Sequence, residues 1–173
     1  AKIEDGKKQI TTGESEIKSN EEKSNKEFAN AEKKIQSAKA EIEKNEKTLE
    51  EQKQNAQTQI DEANTKKIEL TSTLQTVNQS LDQVTQAYND VVNKLNDSSL
   101  SEEEKATLTA KKQALETQKQ ELETNKIQLQ AGITEIENKV NSATNTISDA
   151  QVKIESAKAE VSKQEKTLAS TKK

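Results

Sequence analysis

The sequence contains no cysteine, no histidine and no proline, and its only aromatic residues are Phe28 and Tyr88. The absence of cysteine and histidine excludes disulfides, thiol nucleophiles, imidazole bases and zinc sites built on those ligands. Only 28% of the 173 residues are hydrophobic and 34% are charged, which is too little apolar volume for a conventional globular core. Because helix breakers are scarce and good helix formers are abundant, the sequence favours helix over disorder.

The charges are of both signs and are spread along the whole chain. All 27 basic residues are lysines, and 31 acidic residues give a net charge of −4. This even mixture is typical of solvated helix faces, and we expect no nucleic-acid partner. No apolar run is long enough to cross a membrane, and no signal peptide is visible. The chain has a seven-residue repeat that is already present at Ala1 and still present at Lys173. We therefore expect this sequence to be a segment of a longer polypeptide.

Apolar residues recur every seven positions in the first half, which predicts a supercoiled helix. The members of this ladder are Phe28, Ile35, Ile42, Leu49, Ala56, Ala63, Leu70, Val77, Val84 and Val91. A second stripe joins it at Leu74, Leu81, Tyr88 and Leu95. Before Leu70, the companion positions three residues on are Ala31, Ala38, Asn45, Gln52 and Gln59. We therefore expect the tightest packing from Leu70 to about Leu129 and the loosest from Gln52 to Lys67.

The second half repeats this pattern. One ladder runs through Leu108, Leu115, Leu122, Leu129, Ile136, Ala143, Ala150 and Ala157, and a parallel one through Ile133, Val140, Ile147, Ile154, Val161 and Leu168. Gly132 interrupts the sequence where the two ladders begin to overlap. We expect this glycine to allow a close approach or a slight bend without ending the helix.

The densest cluster of turn-forming residues lies between the two halves, at Asn96, Asp97, Ser98, Ser99, Leu100 and Ser101. Ser101 and Glu104 have the spacing of a capping box, so the second helix should start near Ser101. A turn this short between long helices requires them to lie antiparallel. It sets Val91 opposite Leu108 and Leu70 opposite Leu129, to within a few residues.

The predicted fold is all-α, a long antiparallel two-helix coiled-coil hairpin. Residues 1–95 form an ascending helical arm, 96–101 the hairpin tip and 102–173 a descending arm, together one elongated domain. The first arm is longer by about 25 residues. These residues are either a free helical overhang or the counterpart of a small helical elaboration near the tip.

The two arms share an internal repeat. Residues 31–49 match residues 150–168 at 13 of 19 positions without a gap. The predicted register places the two copies opposite each other, so that large residues meet small ones. Duplication of one segment is the better explanation, although helical sequences of simple composition also produce chance matches.

No catalytic, cofactor or metal site is predicted, because a two-helix coiled coil has no cleft that could shield a carboxylate or form an oxyanion hole. The candidate partner-contact residues are those of the tip, Asn96, Asp97, Ser98, Ser99 and Leu100. Leu100 is the one large apolar residue there that lies outside both ladders, and it either contacts a partner or packs at the helix entrance. Phe28 and Tyr88 lie on the ladders, where core packing is expected.

The opening residues AKIEDGKKQITTGESEI place Ile3, Gly6, Ile10, Gly13 and Ile17 in a heptad of isoleucine and glycine. The cassette AEKKIQSAKAEIEKNEKTLEEQK follows it. This combination resembles the extracytoplasmic coiled-coil insert of FtsX-like ABC transporter permeases of Gram-positive bacteria, and it is also similar to the heptad regions of YhgE/Pip membrane proteins. The glycine-bearing part covers only residues 1–17.

The resemblance implies a non-catalytic hairpin that projects from the outer face of the cell membrane, as an extracellular segment whose two ends lead to transmembrane helices. It also implies a separate cytoplasmic ATPase and a cell-wall or envelope partner at the tip, with no small-molecule substrate bound by this segment. Two alternatives remain. A surface coiled-coil adhesin would be a parallel dimer, which the tip argues against, and an arm of a cytoplasmic chromosome-organising ATPase would end in a globular hinge.

Overall fold

The computed structural model describes residues 2–171, and these form two long α-helices packed against each other. Helix α1 spans Lys2–Leu95 and helix α2 spans Glu102–Thr171. No strand occurs in the described part of the chain. The predicted all-α two-helix hairpin is therefore confirmed. Residues 96–101 contain no helix, so the extra helical elaboration near the tip is not present.

Both helices continue through their glycines. Gly6 and Gly13 lie inside α1, Gly132 lies inside α2, and none of them has a positive φ. Helices of this length gain most of their stability from packing of an apolar face, because helix propensity alone is weak. Many threonine hydroxyls donate hydrogen bonds to the carbonyl four residues earlier, as in Thr73 to Glu69 at 2.9 Å, so these polar groups are satisfied within their own helix.

The chain divides into two compact units that do not coincide with the two arms. Unit 1 comprises Ala1–Lys53 and Thr146–Lys173, and unit 2 comprises Gln54–Asn145. Each unit therefore contains a part of α1 and a part of α2.

The core of unit 1 is a seam between the two helices. Ile35, Ile42 and Val161 form a buried cluster, and Ala38, Ile154 and Leu168 pack against it. Leu49 is also buried, with 7% of its surface exposed. The seam is one layer of aliphatic side chains, and it contains no buried polar group among the described residues.

In unit 2 the most buried residues are Val84 and Val91, close to the turn. The second stripe of α1, at Leu74, Leu81, Tyr88 and Leu95, is half-buried, as are Leu108, Leu115, Leu122 and Leu129 of α2. Gly132 lies directly beside α1, since a Cβ atom placed on it would be 3.4 Å from Cδ1 of Leu70. Because 3.4 Å is an ordinary van der Waals distance, the helices approach here no more closely than an alanine would allow.

Two interhelical contacts bear on the predicted register. The Cδ1 atom of Leu70, expected opposite Leu129, is 3.4 Å from where a Cβ atom of Gly132 would lie, three residues further along α2. Tyr88 lies beneath the ammonium group of Lys112. Both contacts agree with the predicted antiparallel register to within a few residues.

The predicted companion positions in the first arm were wrong beyond Ala38. Asn45, Gln52 and Gln59 are exposed, and the half-buried positions are instead Glu46, Lys53, Ile60 and Lys67, each four residues after a ladder member. The seam spacing thus changes from alternating threes and fours to two successive fours at Ala38, Ile42 and Glu46, the pattern called a stutter. In α2 the ladder member Ala157 is exposed as well, and Glu165, four residues after Val161, is half-buried.

The predicted distribution of tight packing was also wrong. Among the buried residues of the described chain, Ile35, Ile42 and Leu49 lie in α1 before the segment expected to be tightest, and Val161 lies after it. From residue 50 to residue 83 of α1 every ladder member is only half-buried. This stretch includes the segment expected to be loosest, and it extends past Leu70 to Leu81.

The first turns of α1 have no helical neighbour among the described residues. From Lys2 to Glu27 every residue is exposed except Gly6 and Gly13. Of the two alternatives for the longer first arm, the structure therefore has the helical overhang.

Candidate functional site

The candidate site residues Asn96 to Leu100 form the turn between the helices. At the end of α1, the backbone amides of Asn96 and Asp97 donate to the carbonyls of Asn93 and Lys94, at 3.2 and 3.1 Å. These three-residue spacings tighten the last helical turn and satisfy carbonyl groups that a helix end leaves without partners.

Asp97 organises the turn through its carboxylate. The backbone amide of Ser99 donates to Oδ1 of Asp97 at 2.9 Å, and the Ser99 hydroxyl donates to the same oxygen at 2.7 Å. The side-chain hydrogen bond, followed by the backbone one, lowers the pKa of Asp97. This is an Asx-type turn, in which an aspartate side chain takes the place of a backbone acceptor.

The capping box predicted at the start of α2 is present. The Glu104 amide donates to Oγ of Ser101 at 3.2 Å, while the Ser101 amide and hydroxyl both donate to Oε2 of Glu104 at 2.8 Å. The backbone hydrogen bond from Ser101 is the main cause of a lowered Glu104 pKa. Negative charge at this position is also favoured by the positive end of the helix dipole.

The turn presents a small polar surface and one apolar side chain. Asn96, Asp97, Ser98 and Ser99 are exposed, whereas Leu100 is half-buried. Leu100 lines a shallow groove with Thr107 and Leu108 of α2. The structure thus places Leu100 at the helix entrance and leaves part of its surface accessible, so both predicted roles of this residue stay open.

Ion pairs connect the helices at the edges of the seam within residues 2–171. Lys39 pairs with Glu165 and Lys158 with Glu46 in unit 1, and Lys67 pairs with Glu137 at 2.7 Å in unit 2. In each pair one partner, Glu165, Glu46 or Lys67, is half-buried on the seam and the other is exposed. Each seam position that carries one of these charges therefore has an opposite charge across the interface.

The pair with Glu46 also affects the ionisation of Lys158. The hydrogen bond with Glu46 raises the pKa of Lys158, and the charges of Glu46 and Glu155 act in the same direction. Since all six side chains are between 39% and 51% exposed, each pair contributes only a modest stabilisation. Their larger effect is on the choice of register, as in other coiled coils where flanking charges select the alignment.

The two aromatic residues lie in different surroundings. Tyr88 is half-buried on the seam, with the Lys112 ammonium 5.8 Å from its ring centroid, within the range of a cation–π contact. Phe28 is half-buried and lines a groove in unit 1 with Ala31, Leu168 and Thr171. Both residues lie on the apolar ladders, in agreement with the core-packing interpretation.

The sequence reasoning did not identify the charged seam. Glu46, Lys67 and Glu165 were missed because a search for apolar periodicity ignores charged side chains at seam positions. A signal for these seam positions was present in the sequence. Seven-residue steps lead from Glu46 through Lys53, Ile60 and Lys67 to Leu74, where the second apolar stripe of α1 starts. Lysine stems can occupy such positions because their methylene groups cover apolar surface while the ammonium group stays in water.

These groups form hydrogen bonds, ion pairs and apolar contacts. Within residues 2–171, no group of three or more acidic side chains is arranged to hold a metal ion. Neither described helix contains a stretch apolar enough to span a lipid bilayer. Comparison with protein-family models, with curated proteins and with solved structures gave no match to this chain.

Proposed function

We propose that this chain is a non-catalytic extracellular arm of a bacterial membrane protein of the ABC transporter permease type. Its partners are then the remainder of that protein with its cytoplasmic ATPase, and a cell-wall or envelope protein that docks at the turn. On this proposal the arm binds no nucleic acid and no small-molecule substrate, and acts as a mechanical or docking element at the cell envelope.

The observation that carries the proposal is that both ends of the described chain belong to unit 1. Phe28 of α1 and Thr171 at the end of α2 line one groove, and α1 extends a further 26 residues, about 39 Å, beyond Phe28 to Lys2. The start of α1 and the end of α2 therefore leave this groove on the same side, where both can be joined to elements of a larger protein once α2 is prolonged. This is the geometry that an insert between two transmembrane helices requires.

The ion pairs support a mechanical role within each unit. Lys39 with Glu165 and Glu46 with Lys158 hold the two helices of unit 1 in one alignment. A pair of helices that keeps its alignment moves as one body, so a displacement of one helix is passed to the other. A coiled coil with a free choice of register would instead slip under load.

Labelling of intact cells tests the location. Ser98 is exposed at the turn, and the chain has no native cysteine, so Ser98→Cys introduces one accessible thiol. In the full-length parent protein, a membrane-impermeant maleimide should modify this thiol on intact cells, with the unsubstituted parent as control. Modification only after the cells are permeabilised would contradict an extracellular location.

Deletion tests the mechanical role. Removal of residues 60–140 from the parent protein should abolish its activity, because this removes most of unit 2 together with the turn. A matched control removes one facing heptad from each arm and keeps the turn, and it should keep most of the activity. Full activity after the large deletion would show that the arm is not needed for function.

A further inference from the structure

The beginning of α1 carries an apolar face that nothing in the described chain covers. We call Ile3, Gly6, Ile10, Gly13 and Ile17 the Ile–Gly face. The three isoleucines are 80%, 63% and 61% exposed. A Cβ atom placed on Gly6 or Gly13 would have no neighbouring atom within 4 Å. A single exposed isoleucine needs no explanation, but these residues alternate at spacings of three and four, as on a coiled-coil seam.

The Ile–Gly face continues the seam of unit 1. Steps of seven residues lead from Ile3 through Ile10, Ile17 and Ser24 to Ala31 and Ala38. Ala38 packs against the buried cluster of unit 1, and Ala31 lines a groove with Leu168. The isoleucines therefore lie on the side of α1 that α2 covers further along.

Helix α2 is directed towards this face. Because it runs antiparallel to α1, its last described turn, from Thr167 to Thr171, lines the same groove as Ser24 and Phe28. One heptad before Ser24 on α1 is Ile17. A helix that continued α2 in the same direction and register would pack directly onto the Ile–Gly face.

The charges beside the face argue against a second copy of this chain in parallel alignment. Lys2 and Lys7 flank one end of the face, and Glu14, Glu16 and Glu21 flank the other. A parallel pair of coiled-coil helices would bring Lys2 near Lys7 of the other copy and Glu16 near Glu21, which are repulsive contacts. It would also place glycine against glycine and leave gaps. Arms rooted in one membrane point the same way, so the antiparallel arrangement of two copies is not available to them.

We infer that the Ile–Gly face is the docking surface for a helix that prolongs α2 in the parent protein. This inference rests on the proposed function, because it requires a longer parent polypeptide. The prolonging helix would carry large apolar side chains where it faces Gly6 and Gly13, and small ones where it faces the isoleucines. It would carry acidic residues beside Lys2 and Lys7 and basic residues beside Glu14 and Glu16.

Thiol reactivity tests this docking directly. Ile10→Cys places one thiol on the Ile–Gly face, and Lys8→Cys places a matched control thiol on the opposite face of the same helical turn. Both variants are prepared in the 173-residue chain and in the full-length parent, and their rates of modification by a small maleimide are measured. The thiol at position 10 should react at least about tenfold more slowly in the parent than in the 173-residue chain, since burial permits reaction only during local opening. The control thiol at position 8 should react at equal rates in both.

Two outcomes would overturn the inference. Equal rates for the thiol at position 10 in the parent and in the 173-residue chain would show that nothing docks on the face. Slow reaction of that thiol in the 173-residue chain, relieved by dilution, would show that a second copy covers it instead. Surface labelling at Ser98→Cys is unaffected by either outcome, so failure of this inference is distinguishable from failure of the proposed function.

The sequence of the parent protein offers an independent check. The residues after Lys173 should be apolar at the seven-residue steps that continue Val161 and Leu168, with no proline over the next four heptads. A proline or a polar run at those steps would also overturn the inference, because no helix could then prolong α2 along the face.

Discussion

In unit 1 the seam residues change from one heptad to the next, whereas in unit 2 they repeat. The unit 1 seam combines Ile35, Ile42 and Val161 with two ion pairs of opposite polarity. In unit 2, α2 presents leucine at Leu108, Leu115, Leu122 and Leu129, and half-buried lysine at Lys105, Lys112, Lys119 and Lys126. The two units therefore differ in how strongly their side chains specify the alignment of the helices.

The difference between the two units becomes clear if α2 is imagined shifted by one heptad along α1. In unit 1 it would bring Lys39 opposite Lys158, or in the other direction Glu46 opposite Glu165, so that attraction becomes repulsion. In unit 2 it would replace leucine by leucine and lysine by lysine. The alignment of unit 2 must therefore be fixed largely by its short, hydrogen-bonded turn and by the Lys67–Glu137 pair, while unit 1 specifies its own alignment. Charges that oppose a wrong register are a recognised means of specificity in coiled coils.

The largest expected effect is a loss of packing in unit 1. Ile42→Ala should lower the free energy of unfolding by about 2–4 kcal/mol, because Ile42 is 9% exposed and its truncation leaves a cavity in a thin seam. Leu81→Ala in unit 2 removes a similar volume from a half-buried position and should cost less. Urea denaturation followed by circular dichroism measures both. Equal losses would show that the two seams are packed equally well.

The next largest effect on stability is expected from the capping box of Ser101 and Glu104, which fixes the turn of unit 2. Ser101→Ala removes the hydroxyl that accepts from the Glu104 amide, and it should cost about 1 kcal/mol. Ser98→Ala is the matched control, since Ser98 is exposed in the same turn. If the two variants unfold at the same urea concentration, the cap does not stabilise the fold.

The cap also predicts a dependence on pH. The folded pKa of Glu104 lies below its ordinary value, so its contribution is present above that ordinary value and is lost as the pH falls through the folded pKa. Acidification below about pH 4 should therefore destabilise the wild type more than Glu104→Gln. Parallel pH profiles of the two proteins would contradict this account of the cap.

A smaller effect, an increase in stability, is expected from substitution of Gly132 in unit 2. Gly132→Ala should stabilise the protein by about 0.5–1 kcal/mol, because alanine is the better helix former and its Cβ would meet Leu70 at 3.4 Å, an ordinary contact distance. Gly13→Ala, in the uncovered start of α1, should raise helicity without shifting the main unfolding transition. A loss of stability in Gly132→Ala would show that this approach of the helices requires glycine.

The smallest effect comes from a single ion pair of unit 1. Lys158→Glu should lower the urea midpoint by less than any of the changes above, because it sets a second carboxylate against Glu46 in a partly exposed position. Combining it with Glu46→Lys reverses the pair and should restore most of the loss. Lys126→Glu in unit 2, where no ion pair involves Lys126 within residues 2–171, is the control. Failure of the reversed pair to recover stability would mean that the seam charges do not act across the interface.

The sequence allowed prediction of the features that depend on local or periodic signals. The turn at Asn96 to Ser101, the cap formed with Glu104 and the antiparallel pairing all follow from residue types at fixed spacings. The register could be predicted only to within a few residues, because a different turn geometry can shift the facing residues without a change in the heptads. The stutter at Ala38, Ile42 and Glu46 was missed because charged residues occupy the new seam line.

Crosslinking in the cysteine-free chain tests the central claim, that unit 1 holds an antiparallel seam in one alignment. A chain with Lys39→Cys and Glu165→Cys is treated with a short bismaleimide at low protein concentration, beside a chain with Lys39→Cys and Gln151→Cys. The first should form an intramolecular crosslink efficiently. The second should not, because position 151 lies two heptads, about 21 Å, before position 165 along α2. Equal yields for the two chains, or crosslinked dimers in place of intramolecular products, would contradict this account.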